Sequence, residues 1–225
     1  MSNIDCFQFG TVRVHTLFSG NQKGFQKLLR AGVLDTIKIH TQKLMALFKT
    51  YPQVDIVLLD DKEMVIKEYG VGGFTPRKHL MYLYFDLAFD NLKGAVEKHV
   101  PATLAHEFHH LVRWQTVGYG DTLFDAIVSE GSAVVFEEAY AGFTPLYARS
   151  LSPTQESKIQ KQLQRDLQKK DYDRMLWFWG NRGFPRSAGY RLGYKLAQDY
   201  LAKHPTAKPE DLASIPTKDF SRLSL

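Results

Sequence analysis

Residues 103–112 read TLAHEFHHLV, with three histidines and one glutamate inside five positions. On an α-helix, residues four apart lie about 40° apart around the axis and one turn apart along it. His106 and His110 therefore project side by side, within reach of one cation. Glu107 points about 100° away from His106, near enough to touch a water at that cation without taking a ligand position. This is the H-E-x-x-H arrangement, two neutral imidazoles plus a carboxylate base. His109 competes, because its three-residue spacing from His106 also permits a shared ion. That pairing would leave Glu107 in no useful relation to the metal. The expected pair is 106/110, with His109 a partly buried neighbour or hydrogen-bond partner. Leu104, Phe108, Leu111 and Val112 form an apolar stripe, which predicts burial along one side of the helix.

A catalytic zinc needs three protein ligands and one open position. Cys6, the lone cysteine, is too distant in type and context to serve. Downstream, TLFD places Thr122 as an N-cap with Asp125 three residues on, so a second helix is expected over about 122–141. Its segment VSEGSA (128–133) carries Glu130, with nineteen residues between it and His110. Leu123, Ala126, Ile127, Glu130, Ala133 and Val134 share one face of that helix. A carboxylate in an apolar stripe is costly to bury unless it is paired or bound to a cation. Gly131 and Ser132 have little bulk and would let the two helices approach closely.

Outward from these helices, the chain reads as strands first and helices afterwards. A strand is expected at 11–18 (TVRVHTLF), then a turn at SGN (19–21) and a helical stretch at 22–50 interrupted near Gly32. Pro52 ends it, and VDIVLLD (54–60) looks like a largely buried strand. The glycine-rich EYGVGGFTPRK (68–78) is expected to loop, and HLMYLYFD (79–86) to form a strand. Pro101 suits the first turn of the histidine helix. Ser152 and Gln155 start a polar helix at 153–170 with one apolar line, Ile159, Leu163 and Leu167. LWFWG (176–180) precedes a last long helix near 189–203, and Trp177 and Trp179 there are core or pocket residues. The pattern is α+β, a small mixed sheet packed by helices, in a single domain over 1–225 that could divide into two intimate lobes.

Bulk composition excludes some classes. With 44% hydrophobic and 24% charged residues, the chain is an ordinary globular protein. A net charge of +5 is mildly basic, and its densest stretch, KQLQRDLQKKDYDR (161–174), is diluted by aspartates, so no nucleic-acid partner is expected. The opening MSNIDCFQFG lacks a secretory pattern, and no apolar run could span a bilayer. One unpaired thiol suits a reducing compartment. The expectation is a cytoplasmic protein with no membrane partner.

HEFHH, followed by Glu130 in SEGSAVVFEE, resembles the gluzincin metallopeptidases. More closely, GVGGF, HEFHHLVRW, DAIVSEGSA and GYRLGYKL resemble the bacterial YjaZ-like predicted zinc-dependent proteases, over roughly residues 55–205. The resemblance implies a zincin-like fold and one zinc ion held by His106, His110 and Glu130. It also implies Glu107 as general base and a peptide or protein substrate. Tyr190 is its preferred donor to the developing oxyanion, with Tyr194, Arg191 and His79 as alternatives, and HLMYLYFD its substrate-pairing edge strand. One departure is Val134, where thermolysin-like enzymes carry an aspartate that supports a ligand histidine. Glu137, Glu138, Asp125 and Asp86 are the candidates to replace it. The competing expectation is an inactive zincin-like module that binds metal and serves binding or regulation. An intact Glu107 favours the enzyme.

Overall fold

The computed structural model describes residues 4–17, 21–49, 52–149, 152–181 and 183–220. It divides into two compact units, Met1–Val112 and Arg113–Leu225.

The first unit is built on a five-stranded mixed sheet of order β1-β2-β3-β5-β4. β1 (Ile4–Phe9) and β2 (Val12–Leu17) form an antiparallel hairpin. Gly10, at φ 62°, supplies the left-handed first position that such a two-residue turn requires. The sequence did not point to β1. β3 (Val54–Asp60) runs parallel to both β2 and β5 (Leu80–Phe85), and β4 (Val71–Arg77) closes the sheet antiparallel to β5. Val12, Val14, Ile56, Leu58, Met81 and Leu83 are almost wholly buried. Arg13, His15 and Asp55 share a polar cluster, in which Asp55 accepts from Arg13 Nη2 at 2.9 Å and lies 2.7 Å from His15 Nε2.

Two expectations about this sheet are corrected. The glycine-rich stretch forms strand β4 rather than a loop. Its glycines answer to close contact: a Cβ on Gly72 would lie 2.2 Å from the Met64 carbonyl oxygen, and one on Gly73 2.6 Å from Glu107 Cγ. The second correction follows from the first, because β5 is interior and β4 is the edge strand.

The helical stretch breaks as expected, into α1 (Gln22–Arg30) and α2 (Val33–Phe48), with Gly32 at φ 82° between them. The expected turn at 19–21 lies outside the described residues except for Asn21. α3 runs from Leu92 to Thr116 with Pro101 inside it, not in its first turn. A proline there removes one helical hydrogen bond. The preceding turns hold nonetheless, because Leu92, Ala95, Val96 and Val100 are buried along one line and Asn91 Oδ1 accepts from the Gly94 amide at 3.0 Å.

The second unit is helical: α4 (Leu123–Ala141), α5 (Pro153–Asp166), α6 (Arg174–Trp179) and α7 (Ala188–Lys203), with short 3-10 turns at Leu146–Ala148, Pro209–Ser214 and Thr217–Phe220. Both expected capping boxes form, Thr122 with Asp125 and Ser152 with Gln155. α5 ends at Asp166, earlier than expected. There Asp166 accepts from Gln162, Lys169 and the Trp177 indole. Trp177 is therefore core, while Trp179 is at the surface. α4 and α7 cross at Gly131 and Gly193, where a Cβ on Gly131 would lie 1.9 Å from the Gly193 carbonyl carbon. Gly131 thus admits α7. Buried Arg113, at the end of α3, donates to the Leu212 and Ile215 carbonyls and to Thr217, and so ties down the last 3-10 turns.

Candidate metal centre

The expected one-sided stripe on the histidine helix understates its burial, because every residue from Val100 to Arg113 is buried. The polar side chains are enclosed with the rest: His106 is 7% exposed, Glu107 5% and His110 3%. Buried polar groups at this density need hydrogen-bond partners or ions. His109 is wholly enclosed, its ring 6.3 Å from that of Phe48 at the end of α2. The His106 and His110 rings stand 4.7 Å apart, nearly perpendicular.

Glu107 is set by β4. The edge strand reaches α3 through Thr75, whose hydroxyl donates to the Glu107 carbonyl at 3.1 Å. At Gly73 the strand passes directly over the Glu107 side chain. The absent side chain at 73 is the space the carboxylate arm occupies. Neither contact was legible from residue spacing, since both depend on β4 being a strand.

α4 is buried on all sides from Ala126 to Glu137, so Glu130 sits in a helix with no solvent face there. Its Oε1 accepts from Arg174 Nη2 at 2.8 Å. Burial is the largest single influence and works against the Arg174 charge, but the Glu130 carboxylate together with Tyr172, Tyr190 and Tyr119 outweighs it, so the pKa is raised. Arg174 also lies over the Phe178 ring, 4.9 Å from its centre. Nothing in the sequence tied Arg174 to Glu130 across 44 positions.

The ligand atoms of His106, His110 and Glu130 all lie within 4.8 Å of one another, and all three residues are buried. Two imidazoles and one carboxylate form a donor set that fits zinc, and they leave a fourth tetrahedral position for water or substrate. His109 is not part of the cluster.

The remaining candidates separate by their partners. Tyr190 is half-buried on α7, its ring 5.1 Å from Phe178 and 5.0 Å from Tyr147. The Tyr194 hydroxyl donates to Glu138. Burial first and Glu138 second push it up to about 12. His79 is exposed and bound through Nδ1 to the Gln53 carbonyl. Burial lowers the Arg191 pKa. Of the carboxylates considered as replacements for the aspartate absent at Val134, Asp125 is engaged in its capping box and Asp86 accepts from the Ala88 amide. Glu138 accepts from Thr144 and Tyr194, and Glu137 accepts from Tyr147.

Residues 33–222 match the model of a family described as predicted Zn-dependent protease (DUF2268). No curated protein and no solved structure matches the chain.

Proposed function

The chain belongs to this family of predicted Zn-dependent proteases, and from that premise we propose that it is a gluzincin-type peptidase that hydrolyses peptide bonds with one zinc ion. The observation that carries the reading is the buried cluster of His106, His110 and Glu130 beside Glu107. Zinc held by those three residues would supply a Lewis acid for the scissile carbonyl and for the attacking water.

Glu107 does the proton work. Its carboxylate takes a proton as the water oxygen bonds to the carbonyl carbon. It then delivers that proton to the amide nitrogen as the C–N bond breaks, leaving a carboxylic acid and an amine. The low exposure of Glu107 keeps bulk water from competing for that proton. Tyr190 donates to the oxyanion that develops on the carbonyl oxygen. Two observations favour it over Tyr194: its ring is held by Phe178 and Tyr147, and Tyr194 is committed to Glu138. The substrate is an extended peptide that pairs along β4 by strand addition. β4 has no strand on its outer side in the described sheet, and its Gly73 lies against Glu107. Among the described residues no helix is long and apolar enough to cross a membrane. The exposed, unpaired Cys6 suits the reducing cytoplasm.

The test is peptide-library hydrolysis by wild type and Glu107→Gln, each loaded with zinc. Turnover by wild type and a loss of about a hundredfold or more in the variant support the base. Equal turnover by both proteins would remove Glu107 from this role.

A further inference from the structure

The mechanism above leaves one charge pair unused, a half-buried arginine on a buried glutamate. Arg174 donates from Nη2 to Glu130 Oε1 at 2.8 Å, and the Glu130 side chain is only 5% exposed. α6 presents Arg174 at a fixed place: Asp173 caps the helix by accepting from the Leu176 amide at 2.9 Å, which makes Arg174 its first residue. The guanidinium is held a second time by the Phe178 ring, 4.9 Å away, on the buried side of the same short helix. A third contact, to the Tyr172 hydroxyl at 3.4 Å, engages Nη1. A long cationic side chain gripped at three points loses its rotational freedom, and its Nη2 then holds the Glu130 oxygen it meets in one place.

We infer that Arg174 is a positioning residue for the metal centre, which holds the Glu130 carboxylate in one orientation for a divalent cation. The inference rests on the zinc-peptidase reading and deepens it. Ligating carboxylates depend on such hydrogen-bonded partners, whose loss typically costs about 10–100-fold in metal affinity. Arg174 meets the carboxylate and has no part in the proton transfers, so its contribution is read in metal binding.

Competition titration with zinc and the visible spectrum of the cobalt-loaded protein provide the test, on wild type, Arg174→Met and Arg174→Lys. The expected result is tenfold or more weaker zinc binding in Arg174→Met, with a shifted cobalt spectrum. Arg174→Lys should recover part of the affinity, because it restores the charge without the planar fork. Far-ultraviolet circular dichroism accompanies each titration, and Arg174→Lys carries the test if Arg174→Met does not fold. Wild-type zinc affinity and cobalt spectrum in both variants would overturn the role of Arg174 while leaving the metal site standing. A wild-type chain that takes up no zinc would overturn the peptidase reading and this inference together.

Discussion

At the scale of single residues, Gly73 limits where Glu107 can sit. A methyl group at 73 would stand 2.6 Å from Glu107 Cγ, 2.7 Å from Thr103 Cγ2 and 2.8 Å from Glu107 Oε1, all closer than side chains tolerate. The flexible arm of Glu107 yields more easily than the strand. Gly73→Ala should therefore lower kcat by about tenfold or more, in line with the cost of misplacing a catalytic group by an ångström. Zinc stoichiometry should stay at the wild-type value. Steady-state kinetics with a fluorogenic peptide and metal analysis on the same preparation check both halves of this expectation. His106, His110 and Glu107 were legible in TLAHEFHHLV because helical periodicity alone brings i and i+4 together. Glu130 was legible through the cost of a carboxylate among apolar residues. Arg174 was not, since a tertiary ion pair leaves no local pattern.

At the scale of elements, the two central helices of the second unit make a close backbone approach at a pair of glycines. A side chain at Gly131 would collide with the Gly193 backbone, and one at Gly193 would lie 2.1 Å from the Ile127 carbonyl oxygen. Backbone cannot step aside as a flexible side chain can, so Gly131→Ala and Gly193→Ala should each destabilise by about 1–3 kcal/mol. Urea unfolding followed by tryptophan fluorescence measures it. A helix axis shifted at residue 131 also moves Glu130, and zinc affinity should fall in parallel. The elements with strong local codes were readable in advance: the capping boxes at Thr122 and Ser152, the β-branched run of β3, and the break at Gly32. Local glycine content misled at β4, where glycine reflects the nearness of Met64 and Glu107 rather than a turn. Pro101 misled in the same way, because packing of Leu92, Val96 and Val100 extends α3 past a residue that usually marks a first turn.

At the scale of the whole molecule, burial of titratable groups predicts how stability follows pH. His99 stacks on Tyr69 with ring centres 4.1 Å apart, and burial, aided by Lys98, lowers its pKa from 6.5 to about 4. Between those two values the unfolded chain binds a proton that the folded chain refuses. The contribution of His99 is thus fully present above about pH 6.5 and is lost as pH falls toward 4. The stability difference between wild type and His99→Phe should shift in favour of the variant across that window, measured by urea unfolding at pH 7 and pH 5. A difference independent of pH would remove His99 from the balance. The α+β class and a small sheet covered by helices followed from the order of strand and helix patterns. The strand order did not, because which strand lies at the edge is set by non-local pairing that alternation within one strand does not encode.

The central claim is a zinc ion held by two histidines and one glutamate. X-ray absorption at the zinc edge of the zinc-loaded chain tests it most directly. The account predicts two imidazole nitrogens at about 2.0–2.1 Å and carboxylate oxygen at about 2.0–2.2 Å, with the imidazole signal reduced in His110→Ala. A shell containing sulfur, or one without imidazole scattering, would contradict it.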